Sequence, residues 1–172
     1  MRRISILMAV LVAAVVTGAA LAAVNVKSYP VITFGDPNAA SATLRGGNFS
    51  GLGSVPAVAT LTVTGTVKYD CANPQGHLSP GQNPVPAQPG TANQDLGNAD
   101  HNGRGTINDL TATATAGPTP TAQDAGCGGG GSTQWTVVNP VVTVTGAQLV
   151  IKQGGTTVFC RNYTSNGIGT AC

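Results

Sequence analysis

The segment "NADHNGRGTIND" (residues 98–109) spaces its oxygen-bearing side chains as a calcium-binding loop does. Such loops surround the cation with carboxylate and carbonyl oxygens and turn at a glycine. Positions 1, 3, 5, 6 and 12 would be filled by Asn98, Asp100, Asn102, Gly103 and Asp109. However, position 1 is neutral, position 12 is not the usual glutamate, and no flanking helices are predicted. The segment is therefore a weak calcium candidate. We favour a polar Asn-Gly turn and expect no cofactor and no essential metal.

Catalytic groups are scarce in the rest of the chain. Its two histidines, His77 and His101, both lie in predicted loops. A zinc site would need a third ligand, for which Asp100 is the only near candidate. All six acidic residues are aspartates, and none has a recognisable catalytic setting. No G-x-S-x-G nucleophile motif occurs, and no Lys-Ser follows the glycine-rich "CGGGGS". The sequence therefore predicts a protein without catalytic residues, and not an enzyme.

The four cysteines are an even set, which in an exported chain predicts two disulfides. They are Cys71, Cys127, Cys160 and Cys172, and three connectivities are possible. We favour Cys71–Cys127, which would join a strand end to a loop at one end of the fold. Cys160–Cys172 would then hold down a tail that is otherwise free to fray. Zinc ligation is the alternative, but the wide spacing and the lack of C-x-x-C oppose it.

Residues 1–22 have the pattern of a secretory signal peptide. A basic start, Arg2-Arg3, precedes an apolar run, and Ala20 and Ala22 occupy the small-residue positions of a cleavage site. The alternative is an uncleaved membrane anchor, since the apolar run is nearly long enough to span a bilayer. Thr17 and Gly18 interrupt that run, so we favour cleavage. We expect a single secreted domain over residues 23–172, extracellular or at the cell surface, with no membrane contact after cleavage.

The charge balance excludes several partner classes. The formal net charge of +2 comes from Arg2 and Arg3, so the chain from residue 23 onward is neutral. Nucleic-acid binding depends on lysine and arginine side chains that neutralise phosphates. Anionic membranes attract clustered basic residues in the same way. Neither nucleic acid nor an anionic membrane is therefore expected as a partner.

The clearest strand signal is "TLTVTGTVKYDC" (residues 60–71), which alternates strictly. Leu61, Val63, Val67 and Tyr69 fall on one side, and threonines fall on the other. This is the pattern of a strand with one face in the core and one in water. Further strands are predicted in "SYPVITF" (28–34), in "ATLRGGNFSGLG" (42–53) with a bend at Gly46-Gly47, in "GTINDLTATATAG" (105–117) and in residues 133–164. The Pro- and Gly-rich residues 71–90 are predicted to be a loop or irregular edge strand, and residues 118–132 are predicted to be a second long loop.

A hairpin is predicted at Gly154-Gly155, because both central residues of a type I′ turn need positive φ. In that hairpin Ile151 would face Val158, and Val150 would face Phe159. Trp135, the only tryptophan, is expected to fill the core. Seven or eight short strands without any helical period predict an all-β, two-sheet, immunoglobulin-like β-sandwich with disulfides.

Several motifs occur in one order along the chain: "FSGLG", "C-x-N-P-x-G", "SPGQNPV", "NGRGTINDLTATATAGPT", "PTAQDAGC" and "AQLVIKQGGTTVF". This series resembles a group of small exported bacterial proteins, frequent in high-GC Gram-positive genomes, that have no assigned function. The resemblance covers Phe49 to Phe159. It implies a secreted β-sandwich with a Cys71–Cys127 bridge, and it implies no catalytic residues.

Two functions from different classes follow from these observations. The first is an exported non-catalytic structural or interaction protein that acts through its loops or a sheet surface. Its partner would be an unknown protein, a cell-wall component or copies of itself at the cell surface. The alternative is a carbohydrate-binding accessory module. Sugar platforms need exposed aromatic rings, and most of the seven aromatic residues lie on predicted core strands, which counts against the alternative.

Overall fold

The computed structural model describes residues 24–36, 39–97, 103–128 and 134–172. Within these ranges the chain forms thirteen β-strands in three sheets and no α-helix. The sheets pack as a sandwich, so the predicted all-β sandwich is confirmed, although its strands are more numerous than the seven or eight expected. No helix in the described part of the chain is long and apolar enough to cross a membrane. The predicted signal peptide, residues 1–22, lies outside the described residues.

The main sheet is built on two long antiparallel strands, β5 (Ala57–Ala72) and β11 (Thr136–Gln153). They pair along nearly their whole lengths, from Ala57 opposite Gln153 to Ala72 opposite Thr136. On the far side of β11 lie β12 (Thr156–Tyr163) and β13 (Thr170–Ala171). On the far side of β5 lie three short strands, β6 (Leu78–Pro80), β7 (Val85–Pro86) and β8 (Gly90–Asp95). The Pro- and Gly-rich stretch thus forms irregular edge strands, as predicted.

Two small antiparallel sheets form the second layer. The first contains β1 (Asn25–Ser28), β4 (Asn48–Ser50) and β9 (Gly105–Thr106). The second contains β2 (Val31–Phe34), β3 (Ser41–Arg45) and β10 (Leu110–Thr113). Apolar side chains of both sheets form one core cluster with those of the main sheet.

The chain passes between the two small sheets three times, once between β9 and β10 and twice at bends. One is the predicted bend at Gly46 and Gly47, whose φ angles are 64° and 112°. Glycine adopts such angles without a steric cost. The other bend, at Tyr29-Pro30, was not predicted; it shortens the expected strand 28–34 to β2 and leaves Ser28 as the last residue of β1. Because Pro30 has no backbone N–H, it cannot continue a ladder of hydrogen bonds.

The alternation of β5 is confirmed by burial. Leu61, Val63 and Val67 are 0 % exposed, and Tyr69 is also buried. The threonines at positions 60, 62, 64 and 66 are half-buried or exposed on the other face. Full burial of an aliphatic side chain contributes about 1.5–3 kcal/mol, so β5 is a principal source of stability.

The hairpin between β11 and β12 turns at the predicted residues. Gly154 and Gly155 have φ angles of 56° and 84°, as a type I′ turn requires. The two pairs next to the turn, Gln153 with Thr156 and Lys152 with Thr157, have the register of a two-residue hairpin. Beyond them the predicted register is wrong by one residue. Ile151 lies opposite Phe159, and Val150 lies opposite Cys160. The physical reason is a β-bulge, in which Val158 is the extra residue that has no partner on β11.

Trp135 lies just before β11 and is half-buried, packed against the margin of the core. A side-chain carbon at Gly128 would come within 3.0 Å of its indole nitrogen. The tryptophan therefore packs against the core from its margin, beside the loop next to Cys127, and the expectation that it fills the core is met only in part. The centre is filled by aliphatic residues of β5 and β11.

Both favoured disulfides are present. Cys71, near the end of β5, is bonded to Cys127, and each is only 1 % exposed. Cys160 of β12 is bonded to Cys172, which is exposed. The buried bridge joins the main sheet to the loop before β11, and the second bridge holds β13 beside β12.

Residues 164–172, which we call the clasp, connect the two layers at one side of the sandwich. Gly167 exchanges two backbone hydrogen bonds with Ile32 of β2, with N···O distances of 2.8 and 3.1 Å. The guanidinium group of Arg161 donates to the carbonyl oxygens of Ile168 and Gly169. The same guanidinium lies 4.0 Å from the centre of the Tyr29 ring, a cation–π contact. The clasp thereby joins the edge of β2 to the edge of β12.

Candidate functional site

The calcium candidate is only partly within the described structure. Asn98, Asp100 and Asn102 lie outside the described residues. The Asp109 carboxylate lies 3.5 Å from Arg45, and both side chains are more than two-thirds exposed. An exposed ion pair of this kind contributes about 0–1 kcal/mol. In the part of the chain that the structure describes, no three His, Cys, Asp or Glu side chains are grouped as metal ligands, and the calcium hypothesis stays a prediction.

Metal removal tests that hypothesis directly. We expect dialysis against a chelator to leave the melting temperature of the purified protein unchanged, because the Asn-Gly turn we favour needs no cation. Differential scanning calorimetry before and after dialysis is the measurement. A drop of several degrees that calcium restores and magnesium does not would establish the loop at residues 98–109 as a calcium site.

The backbone of His77 and two aspartate side chains take part in turns. The Asn73 side-chain oxygen accepts the backbone N–H of His77 at 2.9 Å. Asp95 accepts a backbone N–H two residues further on, at 2.7 Å. Asp124 accepts the hydroxyl hydrogen of a threonine three residues earlier, at 2.6 Å. These contacts are those of Asx- and ST-type turns. His101 lies outside the described residues.

The most extensive polar surface lies on the outer side of the main sheet, over four neighbouring strands. Because directly paired residues in an antiparallel sheet point to the same side, the strand register defines its members. We call it the threonine face, and it consists of Thr60, Thr62 and Thr64 of β5, Thr91 and Asn93 of β8, Gly146, Gln148 and Val150 of β11, and Cys160 and Asn162 of β12.

Hydrogen bonds across the strands hold the amide side chains of this face in place. The Thr60 hydroxyl donates to the Asn93 side-chain oxygen at 2.7 Å. The Gln148 side-chain nitrogen donates to the Asn162 side-chain oxygen at 2.9 Å. Thr62 lies between them, paired with Thr91 on one side and with Gln148 on the other. Four of the hydroxyl and amide side chains of the face are therefore held by hydrogen bonds to one another across the strands.

The threonine face carries no charge on its described residues. Lys152 lies beyond it at one end, where it pairs with Val58 of β5, and Asp95 of β8 pairs with the same valine. Lys68 lies beyond it at the other end of β5. The centre of the face therefore neither attracts nor repels charged groups electrostatically. A surface that is itself neutral and polar is electrostatically complementary to it.

At the edges of the main sheet, other parts of the chain pair with or contact the outermost strands, whereas the threonine face is open. On β12, the backbone of Arg161 and Asn162 pairs with β13, and the bulge at Val158 distorts the remainder. On β8, the Gln94 side chain bonds to the Thr106 carbonyl oxygen and to a nearby backbone N–H, at 3.1 and 3.0 Å. Covered and bulged edges oppose the addition of further strands. Association through the face is therefore favoured over association through an edge.

The aromatic residues do not form a sugar-binding platform in the described part of the chain. Tyr29, 45 % exposed, is the most open of them, but Arg161 covers one side of its ring. Phe49 is buried and makes an edge-to-face contact with Phe159 at 5.0 Å between ring centres. Tyr163 is 1 % exposed, and burial raises its pKa to about 12, against an opposing effect of the Arg161 charge.

The sequence predicted the outward-facing residues of β5 in the threonine face. It did not predict which residues of β8, β11 and β12 belong to the same face. The alternation of β5 predicted its outward threonines, and the structure confirms them. Thr91 and Asn93 alternate outward in "GTANQD", a signal too short to be recognised. Gln148 and Asn162 join the face only through the pairing of β11 with β5 and β12. That pairing depends on contacts between distant parts of the chain.

Comparison of the chain with protein-family models, with curated proteins and with solved structures found no match. Its function is therefore inferred from the geometry of its own residues. The feature that carries this inference is the neutral threonine face.

Proposed function

We propose that the protein is an exported, non-catalytic interaction protein that self-associates at the cell surface through its threonine face. The observation that carries this proposal is the uncharged array of hydroxyl and amide groups over four strands of the main sheet. In a symmetric pair of copies, the same patch faces itself across a two-fold axis. A patch without charge meets its own copy without like-charge repulsion, and each hydroxyl or side-chain amide can both donate and accept hydrogen bonds.

The outer side of the main sheet is large enough for a stable contact. A strand the length of β5, 16 residues, extends over roughly 50 Å at about 3.3 Å per residue. Three to four strands spaced at about 4.8 Å add a width of roughly 14–19 Å. The resulting area, on the order of 700–950 Å², is an upper value for the whole outer side of the sheet, of which the threonine face is the central part, and it compares with the roughly 800 Å² that each partner buries in a standard interface.

Two further observations support an extracellular role. The two disulfides suit an oxidising compartment, and residues 1–22 are predicted to be a signal peptide. The neutral charge of the chain from residue 23 onward disfavours nucleic acid and anionic membranes as partners. The likeness of the sandwich to immunoglobulin domains stays a prediction, as does the absence of enzymatic activity.

A cell-wall glycan is the alternative partner for the same face. Its hydroxyl groups would also match a neutral polar surface. Carbohydrate sites usually add an aromatic ring that stacks on the sugar, and the described part of the threonine face contains none. This absence favours a second copy of the chain over a glycan.

The proposal predicts that charges on the threonine face abolish self-association and leave the fold intact. In separate variants, we expect Thr62→Asp and Thr64→Lys to weaken the dimer at least tenfold, because each places two like charges across the two-fold axis. Since neither side chain is buried in the core, the cost in unfolding free energy should stay below about 1 kcal/mol. Sedimentation velocity over a range of protein concentrations measures the association, and chemical denaturation measures the stability.

The matched control is Thr33→Lys, which places a charge on an exposed threonine of β2 in the other layer. It should dimerise as the unaltered protein does. If the unaltered protein is monomeric at high concentration, the proposal is overturned. Saturable retention on insoluble polysaccharide that Thr62→Asp abolishes would establish the glycan in place of the second copy.

A further inference from the structure

The longest strand, β11, is interrupted in its middle by a bulge at Asn139 and Pro140. Val138 pairs with Asp70 and Val141 pairs with Lys68, so two residues of β11 lie opposite one residue of β5. Among the described residues, Asn139 is the only non-glycine residue with positive φ, at 51°. Asparagine tolerates this conformation better than most residues. Bulges and such backbone outliers concentrate at functional sites.

The bulge borders an open cleft of about 580 Å³ on the outer side of the main sheet, beyond the end of the threonine face. Thr66, Lys68 and Asp70 of β5 lie beside Asn139, Val141 and Thr143 of the paired strand β11 in its lining. Tyr69, Pro80 and Gly81 complete the lining. A cleft of this volume accommodates a small molecule. We call it the bulge cleft.

The bulge cleft presents one positive and one negative group that are not paired with each other. The Asn139 side-chain nitrogen donates to one carboxylate oxygen of Asp70 at 3.0 Å, which orients the carboxylate and leaves its second oxygen available. Lys68 lies two residues away on the same face of β5, a separation of about 6.6 Å along the strand. Among the described residues, Lys68 has no ion-pair partner. The cleft therefore displays two separated charges of opposite sign.

We propose that the bulge cleft binds a short zwitterionic peptide of about two residues, whose two ends are both free. Its ammonium group would pair with Asp70, and its carboxylate would pair with Lys68. In an extended dipeptide the two end groups lie about two residue lengths apart, roughly 6–7 Å, which is close to the spacing of Lys68 and Asp70 along the backbone of β5. Val141, which is 42 % exposed, offers an apolar contact for a small side chain such as alanine. This binding is separate from self-association through the threonine face.

Isothermal titration with alanyl-alanine tests the proposal on the purified protein. We expect saturable binding of alanyl-alanine and at least tenfold weaker binding of N-acetyl-alanyl-alanine and of alanyl-alaninamide, because each lacks one charged end. Free alanine should also bind at least tenfold more weakly, because its two charges are too close together. Lys68→Gln and Asp70→Asn should each reduce the affinity for alanyl-alanine at least tenfold.

The controls separate recognition from folding and from self-association. Lys152→Gln removes an exposed lysine at the opposite end of the same sheet face and should leave the affinity unchanged. Asn139→Gly keeps the positive φ but removes the hydrogen bond to Asp70, and it should weaken binding while the melting temperature confirms the fold. The Thr62→Asp variant should bind alanyl-alanine with unchanged affinity, because Thr62 does not line the bulge cleft. The proposal is overturned if alanyl-alanine fails to bind at millimolar concentration, if the blocked peptides bind equally well, or if Lys68→Gln has no effect.

Discussion

The Val63→Asp variant is expected not to fold. Val63 is 0 % exposed and pairs with Ala147 of β11 and with Gly90 of β8 in the middle of the main sheet. A carboxylate at this position would lose its hydration in an apolar environment and would gain no cation in return. We expect a loss of more than about 4 kcal/mol, which is comparable to the total stability of about 5–15 kcal/mol of an ordinary domain.

The matched control is Thr64→Asp, which introduces the same charge one residue further along β5 on the opposite face. Thr64 is exposed, and the cost should be below about 1 kcal/mol. Circular dichroism and urea denaturation of both variants provide the measurement. If the two substitutions were equally damaging, β5 would be buried on both sides, and the outer face described above would not exist.

The second large effect is expected from removal of the buried disulfide. Cys71 and Cys127 are 56 residues apart in the chain, whereas Cys160 and Cys172 are 12 residues apart. In the chain-entropy model, a bridge restricts the unfolded state more strongly as its loop lengthens, giving about 4 kcal/mol for the longer loop and about 3 kcal/mol for the shorter one. Removal of the buried sulfur atoms of Cys71 and Cys127 also leaves a cavity in the core. This cavity adds to the loss of stability that is expected for the longer loop.

We therefore expect the double variant Cys71→Ala/Cys127→Ala to lose more stability than Cys160→Ala/Cys172→Ala. Urea denaturation of both double variants under identical conditions measures the difference, with an m-value fitted for each variant because the remaining bridge restricts its unfolded state to a different extent. Because Cys71 and Cys127 are buried, the first variant should also lose near-ultraviolet circular dichroism if its packing loosens. The reverse order of stabilities would show that the clasp, and not the buried bridge, limits unfolding.

The sequence predicted those features of the fold that depend on local alternation. One face of β5 lies in the core and the other in water, so its side chains alternate with a period of two residues, and the pattern is readable without a structure. The glycine pairs at positions 46–47 and 154–155 were also recognised, because a positive φ restricts the residue type strongly. Both disulfides followed from the positions of the cysteines relative to predicted strands.

Features that depend on distant contacts or on single inserted residues could not be predicted. The bulge at Val158 shifts the hairpin register by one residue, yet "TTVFC" contains no glycine or proline that would mark it. The bulge cleft had a weak signal, since Asn139-Pro140 is a dipeptide typical of turns within a predicted strand. The partners of β5 in the threonine face could not be derived, because β8 and β11 are joined to it only in the folded chain.

The long pairing of β5 with β11 also has a consequence for folding kinetics. Its nearest ends, Ala72 and Thr136, are separated by roughly 60 residues, and such a loop must close before any pair of the ladder forms. Sheets dominated by contacts of this kind fold in milliseconds to seconds or more slowly. Once Cys71 is bonded to Cys127, the segment that remains to be closed is only about ten residues, which lowers the entropic cost by about 1.6 kcal/mol. The oxidised chain should therefore refold on the order of tenfold faster than the reduced chain, with the ladder extending from the end of β5 that carries the bridge.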